Sequence, residues 1–175
     1  MTPRDLRLTF EVEENGSTYA ENATLKATAY CEASGLVTLA DDTGLEVDAL
    51  GGRPGVFSAR YVDTPNAMDE DRRARLLGEL KPLPRPWTAH FHCTVAIAAP
   101  GVEVKLFNAD INGEIVPMET GKFGFGYDSL FYIPSVGKTL ASCTMVEKNY
   151  ISHRALAVKL AVPYLKSLLS NHSTN

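Results

Sequence analysis

Apolar and polar positions along the chain follow two periods, one typical of helices and one typical of strands. Three segments with helical spacing, bounded by capping or stop signals, predict helices over residues 19–33, 68–80 and 152–169. Short apolar or alternating runs predict strands over residues 36–40, 45–50, 90–98, 102–107, 113–116 and 127–133. Because the two kinds of element are interspersed and neighbouring strands are closely spaced, we predict an α/β protein with a mixed sheet.

Two adjacent acids, Asp41 and Asp42, follow the apolar run over residues 36–40 and precede a Thr-Gly pair. One interpretation is a simple turn, because Asp and Gly are common turn residues. The other places both acids at the rim of the sheet, where their hard oxygens would bind Mg²⁺ and substrate phosphates. Glu14 would add a third acid to this site, or it belongs to an ordinary surface loop. The sequence alone leaves both pairs of alternatives open.

Overall composition restricts the partners of the protein more than its chemistry. The chain has 175 residues and a formal net charge of −4. This charge gives no general attraction to nucleic acid or to an anionic membrane, so we expect neither as a partner. No apolar run approaches the roughly 20 residues of a membrane span. Three cysteines without a C-x-x-C pair predict no disulfide framework, and we expect a cytoplasmic protein.

A glycine-rich segment, GKFGFGYDSLF over residues 121–131, interleaves glycines with aromatic residues. Glycine lets the backbone approach a ligand closely, and an aromatic ring would stack on a flat base. Asp128 would accept hydrogen bonds from a base edge. The alternative is a tight turn that enters a core strand, with its aromatic side chains simply buried.

A third cluster, EKNYISHRA over residues 147–155, places Lys148, His153 and Arg154 at a predicted helix start. These cations would bind phosphate or base oxygens, or they form a solvated basic face. His90 and His92 share one face of a predicted strand, but no third ligand follows at a recognisable spacing, so we interpret both as structural. Together the three clusters are typical of a nucleotide hydrolase.

Four blocks in order, LADDTGLEVDALGGRPGVFSARY, FHCTVAIA, GFGYDSLFYIPSVGKT and EKNYISHRA, resemble the inosine triphosphate pyrophosphatase family. The resemblance extends from about residue 13 to about residue 169. It implies an elongated mixed β-sheet with flanking helices, two lobes around a central cleft, and a homodimer. It also implies Mg²⁺-dependent hydrolysis of ITP, dITP and XTP to the monophosphate and pyrophosphate, which would clean the nucleotide pool.

The resemblance also implies roles for individual residues. Asp42 matches the catalytic proton acceptor, which also binds the metal together with Glu14 and with its acidic neighbour Asp41. The matching substrate-binding positions comprise a lysine near the phosphates, a threonine after the acids, the base-binding loop and the residues that recognise the 6-oxo side of the purine. They are Lys26, Thr43, Phe125, Gly126, Tyr127, Asp128, Lys148, His153 and Arg154.

The sequence departs from the family pattern at several places. The family's N-terminal strand, its Gly-rich S/T-G-N-x-x-K phosphate loop and the following helix, roughly 35 residues in all, have no counterpart before residue 13. We therefore expect a single domain over residues 1–175 that is truncated at its N-terminus relative to the family. Ser129 stands where proline is usual, and Ser142 where a glutamate is usual. An alternative hypothesis is a catalytically impaired nucleotide-binding or dimerisation protein that lacks the phosphate loop.

Overall fold

The structure, a computed structural model, describes the backbone of residues 1–171 and the side chains of residues 1–170. Over these residues it contains four α-helices, which are α1 Tyr19–Ser34, α2 Asp69–Leu80, α3 Met145–Ile151 and α4 His153–Asn171. The strands are β1 Thr38–Val47, β2 Pro54–Gly55, β3 Trp87–Ala99, β4 Val102–Ile115, β5 Phe131–Ile133 and β6 Lys138–Thr139. None of the described helices is both long enough and apolar enough to cross a membrane.

The six strands form one sheet in the order β2-β1-β3-β4-β5-β6. Backbone pairing is antiparallel between β1 and β2, between β4 and β5, and between β5 and β6. The two residues between β3 and β4 can only reverse the chain, so these strands form a hairpin. Glu46 contacts His90 and Asp48 contacts Thr88, which makes β1 antiparallel to β3. The α/β class is confirmed, and where we expected a mixed sheet the strands run antiparallel.

Strand β1 corrects the interpretation of the Asp-Asp-Thr-Gly segment as a turn. The two short strands predicted on either side of it form one continuous strand of ten residues. Its odd-numbered residues Leu45 and Val47 lie in a core cluster, while Ala40 packs against the buried alanines of α1. Packing on both faces therefore overrides the preference of Asp and Gly for turns.

The predicted helix over residues 19–33 is confirmed as α1, whereas one helix near the C-terminus was not predicted. Thr18 and Glu21 form the predicted capping box, and Gly35 ends α1 in the left-handed conformation. Pro163 lies inside α4, which continues past the proline as the helix predicted over residues 152–169 does. Helix α3 was missed, although Thr144 and Glu147 form a second capping box at its start. Of the strand predicted over residues 127–133, only β5 is extended.

The chain divides into two compact units. The first contains residues 1–42, 93–109 and 157 onward, and the second contains residues 43–92 and 110–156. In the first unit, Cys93, Val95 and Ile97 pack against Ala157 and Ala161 of α4. In the second, the core joins strand, helix and loop residues that are fully or nearly fully buried, among them Leu45, Leu76, Leu80, Phe91, Tyr127 and Phe131.

Candidate active site

An acidic cluster in the first unit is centred on the ammonium group of Lys26. Its Nζ donates to Glu14 Oε1 over 3.0 Å and to Asp42 Oδ1 over 3.3 Å. Asn22 lies one turn earlier on α1, on the same helix face, and its Nδ2 donates to Asp42 Oδ2 over 3.2 Å. The side-chain oxygen of Asn22 in turn accepts from the backbone N–H of Gly16. Helix α1 thus fixes both the carboxylate of β1 and the loop that carries Glu14.

The carboxyl group of Asp42 is 8% exposed and lies in an environment with opposing effects on its pKa. Burial raises the pKa of Asp42 above its usual value, because it disfavours the charged form. The positive charge of Lys26 and the hydrogen bond from Asn22 lower this pKa, while the nearby charge of Glu14 raises it further. Two carboxylates and one ammonium leave the cluster with a net negative charge, which would attract a cation.

Asp41 and Asp42 point in opposite directions because side chains alternate along a strand. Asp42 contacts Asn22 and Lys26 of α1, whereas the odd-numbered Leu45 belongs to the core of the second unit. Asp41 shares the face of Thr43. The structure therefore brings Glu14, Lys26 and Asp42 together, while Asp41 lines a cavity of the first unit that Lys26 also lines.

A cavity of about 160 Å³ lies in the second unit. It is lined by residues of β1, the turn that follows β2, α2, β3, the glycine-rich loop and the start of α4. They are Thr43, Gly44, Ser58, Ala59, Asp69, Arg72, Phe91, Phe125, Gly126, Tyr127, Asp128 and His153. A cavity of roughly 150 Å³ takes up a benzene ring, so this one has room for a flat aromatic ring. The cavity thus combines aromatic walls with a few polar groups, as ligand pockets usually do.

An ion pair holds the glycine-rich loop at the wall of this cavity. Lys148 Nζ donates to Asp128 Oδ2 over 2.6 Å, and both side chains are mostly buried. The same carboxylate oxygen accepts from the backbone N–H of Phe125. Gly124 packs against the pair with a positive φ of 88°, and a Cβ at this position would collide with the Asp128 carboxylate. Glycine is therefore required here so that the loop can close over the ion pair.

His153 and Arg154, at the start of α4, contribute differently to the pocket. The His153 ring stacks on Phe91 with 4.6 Å between centroids, and its Nδ1 is buried without a hydrogen-bond partner among the described residues. Burial, aided by the nearby positive charges of Arg154 and Lys148, lowers the pKa of His153 to about 3, so the imidazole is neutral. The Arg154 guanidinium lies over the Phe125 ring and donates to Thr43 Oγ1 over 3.3 Å.

Tyr127 lines the cavity, but its hydroxyl is already used within the fold. It donates to the backbone carbonyl of Ser58 over 2.9 Å, and burial raises the pKa of Tyr127. Phe125, in contrast, is 65% exposed and presents a ring that could stack on a ligand. Of the two interpretations of this segment, an exposed stacking ring therefore applies to Phe125, and a buried aromatic side chain applies to Tyr127.

The structure adds residues that the sequence analysis had missed. Asn22 stands four residues before Lys26 on a predicted helix, and that spacing could have identified it. Phe91, Asp69 and Arg72 lie far from the loop in sequence and carry no local signal. His90 and His92 each contact a carboxylate, of Glu46 and Asp110 respectively.

Comparison with known proteins places these features in a family. The sequence profile of the Ham1 family matches residues 2–164. The chain is 46% identical over 156 residues to the dITP/XTP pyrophosphatase of Geobacter sulfurreducens, covering 89% of this chain and 78% of that protein. It is 47% identical over 150 residues to the dITP/XTP pyrophosphatase of Halalkalibacterium halodurans, covering 85% and 77%. The solved structure of the Staphylococcus aureus Ham1 protein matches with a TM-score of 0.85 at 41% identity, covering 93% and 84%.

Proposed function

The chain belongs to the Ham1 family, and from this membership we propose that it hydrolyses ITP, dITP and XTP to the nucleoside monophosphate and pyrophosphate. The membership agrees with the resemblance found in the sequence. The relatives named above are dITP/XTP pyrophosphatases, which supports this substrate class. The observation that carries the proposal in the structure is the cavity of the second unit, which has aromatic walls, a neutral buried histidine and the Asp128–Lys148 pair.

The acidic cluster is the proposed binding site of Mg²⁺. No group of three or more acidic, histidine or cysteine side chains within residues 1–171 could hold a metal ion. Mg²⁺ in nucleotide enzymes is usually bound by only one or two carboxylates together with substrate phosphates. Glu14 and Asp42 fit this requirement, because both already converge on one cation, the Lys26 ammonium. When bound, Mg²⁺ would supply neutralisation of phosphate charge.

Asp42 is the proposed proton acceptor for the water that attacks the α-phosphorus. Its carboxylate is held on both oxygens, by Asn22 and by Lys26, so its orientation is fixed before substrate binds. Attack breaks the bond between the α- and β-phosphates, and pyrophosphate leaves. Lys26 is the proposed phosphate contact, since its ammonium would redirect from the carboxylates toward an anionic ligand. Asp41 is the proposed acidic neighbour of Asp42, which adds negative charge to the first-unit cavity that it lines together with Lys26.

The cavity is the proposed site of the purine base. Phe125 stacks on the base, with the Arg154 guanidinium on the same ring. Lys148 gives one N–H to Asp128 and retains two, and Arg154 is also only a donor. These donors match the oxygen at position 6 of hypoxanthine and xanthine. Adenine presents an amino donor there, so its binding would leave donors facing one another.

Two further parts of the proposal concern assembly and location. A homodimer is supported by exposed apolar side chains on α3, where Met145, Val146 and Tyr150 are mostly accessible in the single chain. Sedimentation velocity of the wild type would test the homodimer, and a monomer at micromolar concentration would contradict it.

We also place the protein in the cytoplasm, where its substrates would occur.

Pyrophosphate release from ITP, dITP, XTP and ATP, measured with and without Mg²⁺, tests the proposed activity. We expect turnover of the 6-oxo purines that is lost on chelation of the metal and is much slower for ATP. Equal turnover of ATP and ITP would contradict the base-recognition part. Binding of ITP without turnover would instead support a nucleotide-binding protein.

A further inference from the structure

Helix α2 holds the glycine-rich loop at one residue, Gly126, from both sides. The Gly126 backbone N–H donates to Asp69 Oδ2 over 2.6 Å, and Arg73 Nη1 donates to the Gly126 carbonyl over 2.9 Å. Both side chains come from the first turns of α2, and Gly126 is more than fifty residues away in the chain. We call Asp69 and Arg73 the α2 clamp.

Each side chain of the α2 clamp is itself held by further charged contacts. Arg72 Nη1 donates to Asp69 Oδ1 over 2.7 Å, so the carboxylate is fixed at both oxygens. Arg73 Nε lies 2.8 Å from Glu119 Oε2, which also accepts from the Ser129 hydroxyl. The Arg73 side chain is only 13% exposed. Charged side chains that are part-buried and hydrogen-bonded to more than one partner have little freedom to move, so we expect the α2 clamp to be rigid.

The α2 clamp contacts the two peptide groups of Gly126, the residue that directly follows Phe125. The N–H of Gly126 belongs to the peptide group that follows Phe125, and its carbonyl belongs to the peptide group that precedes Tyr127. Gly126 has a positive φ of 60°, a conformation that glycine adopts readily. Fixing both peptide groups limits the directions in which the exposed Phe125 ring can point.

We propose that Asp69 and Arg73 are positioning residues, which act through Gly126 to hold Phe125 in the orientation that binds a purine base. This inference rests on the proposed function, in that the ligand of the cavity is the base. Neither side chain of the α2 clamp belongs to the acidic cluster, and only Asp69 also lines the cavity. Loss of the α2 clamp should therefore raise KM for nucleotides and leave kcat largely unchanged.

The test compares Asp69→Ala with Asp71→Ala, a matched control in the same turn of α2. Asp71 accepts from the Met68 N–H at the start of α2, so its loss removes a first-turn acid of the same helix without removing the contact with Gly126. For Asp69→Ala we expect KM for ITP to rise about tenfold, as for loss of a charged hydrogen bond, with kcat within about twofold. Inhibition by inorganic tripolyphosphate, which has no base, should be unchanged. Asp69→Asn keeps an acceptor oxygen and should restore most of the affinity.

Several outcomes would overturn the inference. They are an equal rise in KM for Asp71→Ala, a fall in kcat without a change in KM, and a parallel loss of tripolyphosphate inhibition. If Asp69→Ala does not fold, Arg73→Gln tests the other half of the clamp with the same expected rise in KM. Each variant's thermal unfolding is measured alongside, so that a general loss of stability is recognised.

Failure of the proposed function is separable from failure of the clamp. If the wild type releases no pyrophosphate from any purine triphosphate, the proposed activity is wrong. Calorimetric binding of IMP to the wild type and to Asp69→Ala then tests the clamp directly. Weaker binding to the variant supports it, while equal binding, or no binding to the wild type, overturns it.

Discussion

In the acidic cluster, two carboxylates meet around one ammonium group and leave a net negative charge. In the cavity of the second unit, by contrast, each charged side chain of the wall is already paired, Asp69 with Arg72 and Asp128 with Lys148. The histidine of that cavity is held neutral by burial. The first region therefore attracts a cation, while the second is close to electrically neutral and offers shape and fixed donors.

This difference separates two requirements of nucleotide hydrolysis. Proton transfer needs a carboxylate that is basic enough to accept a proton from water. Burial raises the pKa of Asp42 and so makes its carboxylate a stronger base. Base recognition needs donors that do not move and do not titrate near neutral pH, because their pattern defines which base is accepted. Variants on the two sides should therefore affect different kinetic constants.

The largest expected effect is that of Asp42→Asn. Asparagine keeps the size of the side chain and the contact with Asn22 but cannot accept a proton, so kcat should fall by about 10²–10⁴-fold. Thermal unfolding at neutral pH should change little, because the substitution removes a buried charge that is costly to keep. Steady-state pyrophosphate release and a melting curve give both values.

Asp41→Asn is the control for the assignment of Asp42 as the proton acceptor. Asp41 lies next to Asp42 in the chain but on the opposite face of β1, so we expect a loss of kcat below about tenfold. If the two variants lose kcat equally, the contrast between the neighbouring acids is wrong, and the acidic cluster extends to both faces of the strand.

A smaller effect, confined to the base side, is expected for Phe125→Ala. Stacking of a base on an aromatic ring contributes about 1–3 kcal/mol, so KM for ITP should rise roughly 5- to 150-fold with little change in kcat. The ring is 65% exposed, and its loss should not affect folding. Phe123→Ala is the matched control, since Phe123 is 54% exposed on the same loop and does not line the cavity. An equal rise in KM for both variants would contradict stacking by Phe125.

The sequence predicted local features of the fold well where a capping signal or a period was strong. Helix α1 begins and ends within a residue of its predicted bounds, because its capping box and its terminal glycine act locally. The Asp-Asp-Thr-Gly segment was ambiguous, since its residue types favour a turn and only packing on both faces of β1 makes it a strand. Tertiary contacts of this kind cannot be detected in a local pattern.

In the candidate site, too, some features were predicted from the sequence and others depend on tertiary contacts. Glu14 and Asp42 were candidates on their residue types, Lys26 was named only through the family resemblance, and the structure brings all three together. The contact of Asp69 with Gly126 joins residues 57 positions apart and follows no motif, so it could not be predicted. The opposite directions of Asp41 and Asp42 follow from strand geometry, but only once β1 is known to be continuous.

The last expected effect concerns the free energy of unfolding instead of turnover, and it has opposite signs in the two regions. The pKa of His153 is about 3 in the folded chain and about 6.5 when unfolded, so between these values only the unfolded chain binds the proton. The free energy of unfolding should therefore fall as pH is lowered through this window, by at most about 1.4 kcal/mol per pH unit.

The raised pKa of Asp42 acts in the other direction, because there the folded chain binds the proton more tightly and acid favours folding. Urea unfolding of the wild type, His153→Phe and Asp42→Asn between pH 4 and 7 would separate the two effects. We expect His153→Phe to lose less stability in acid than the wild type, and Asp42→Asn to lose more. If His153→Phe retained the wild-type slope, the histidine would not be held neutral, and the contrast between a charged cluster and a neutral cavity would fail.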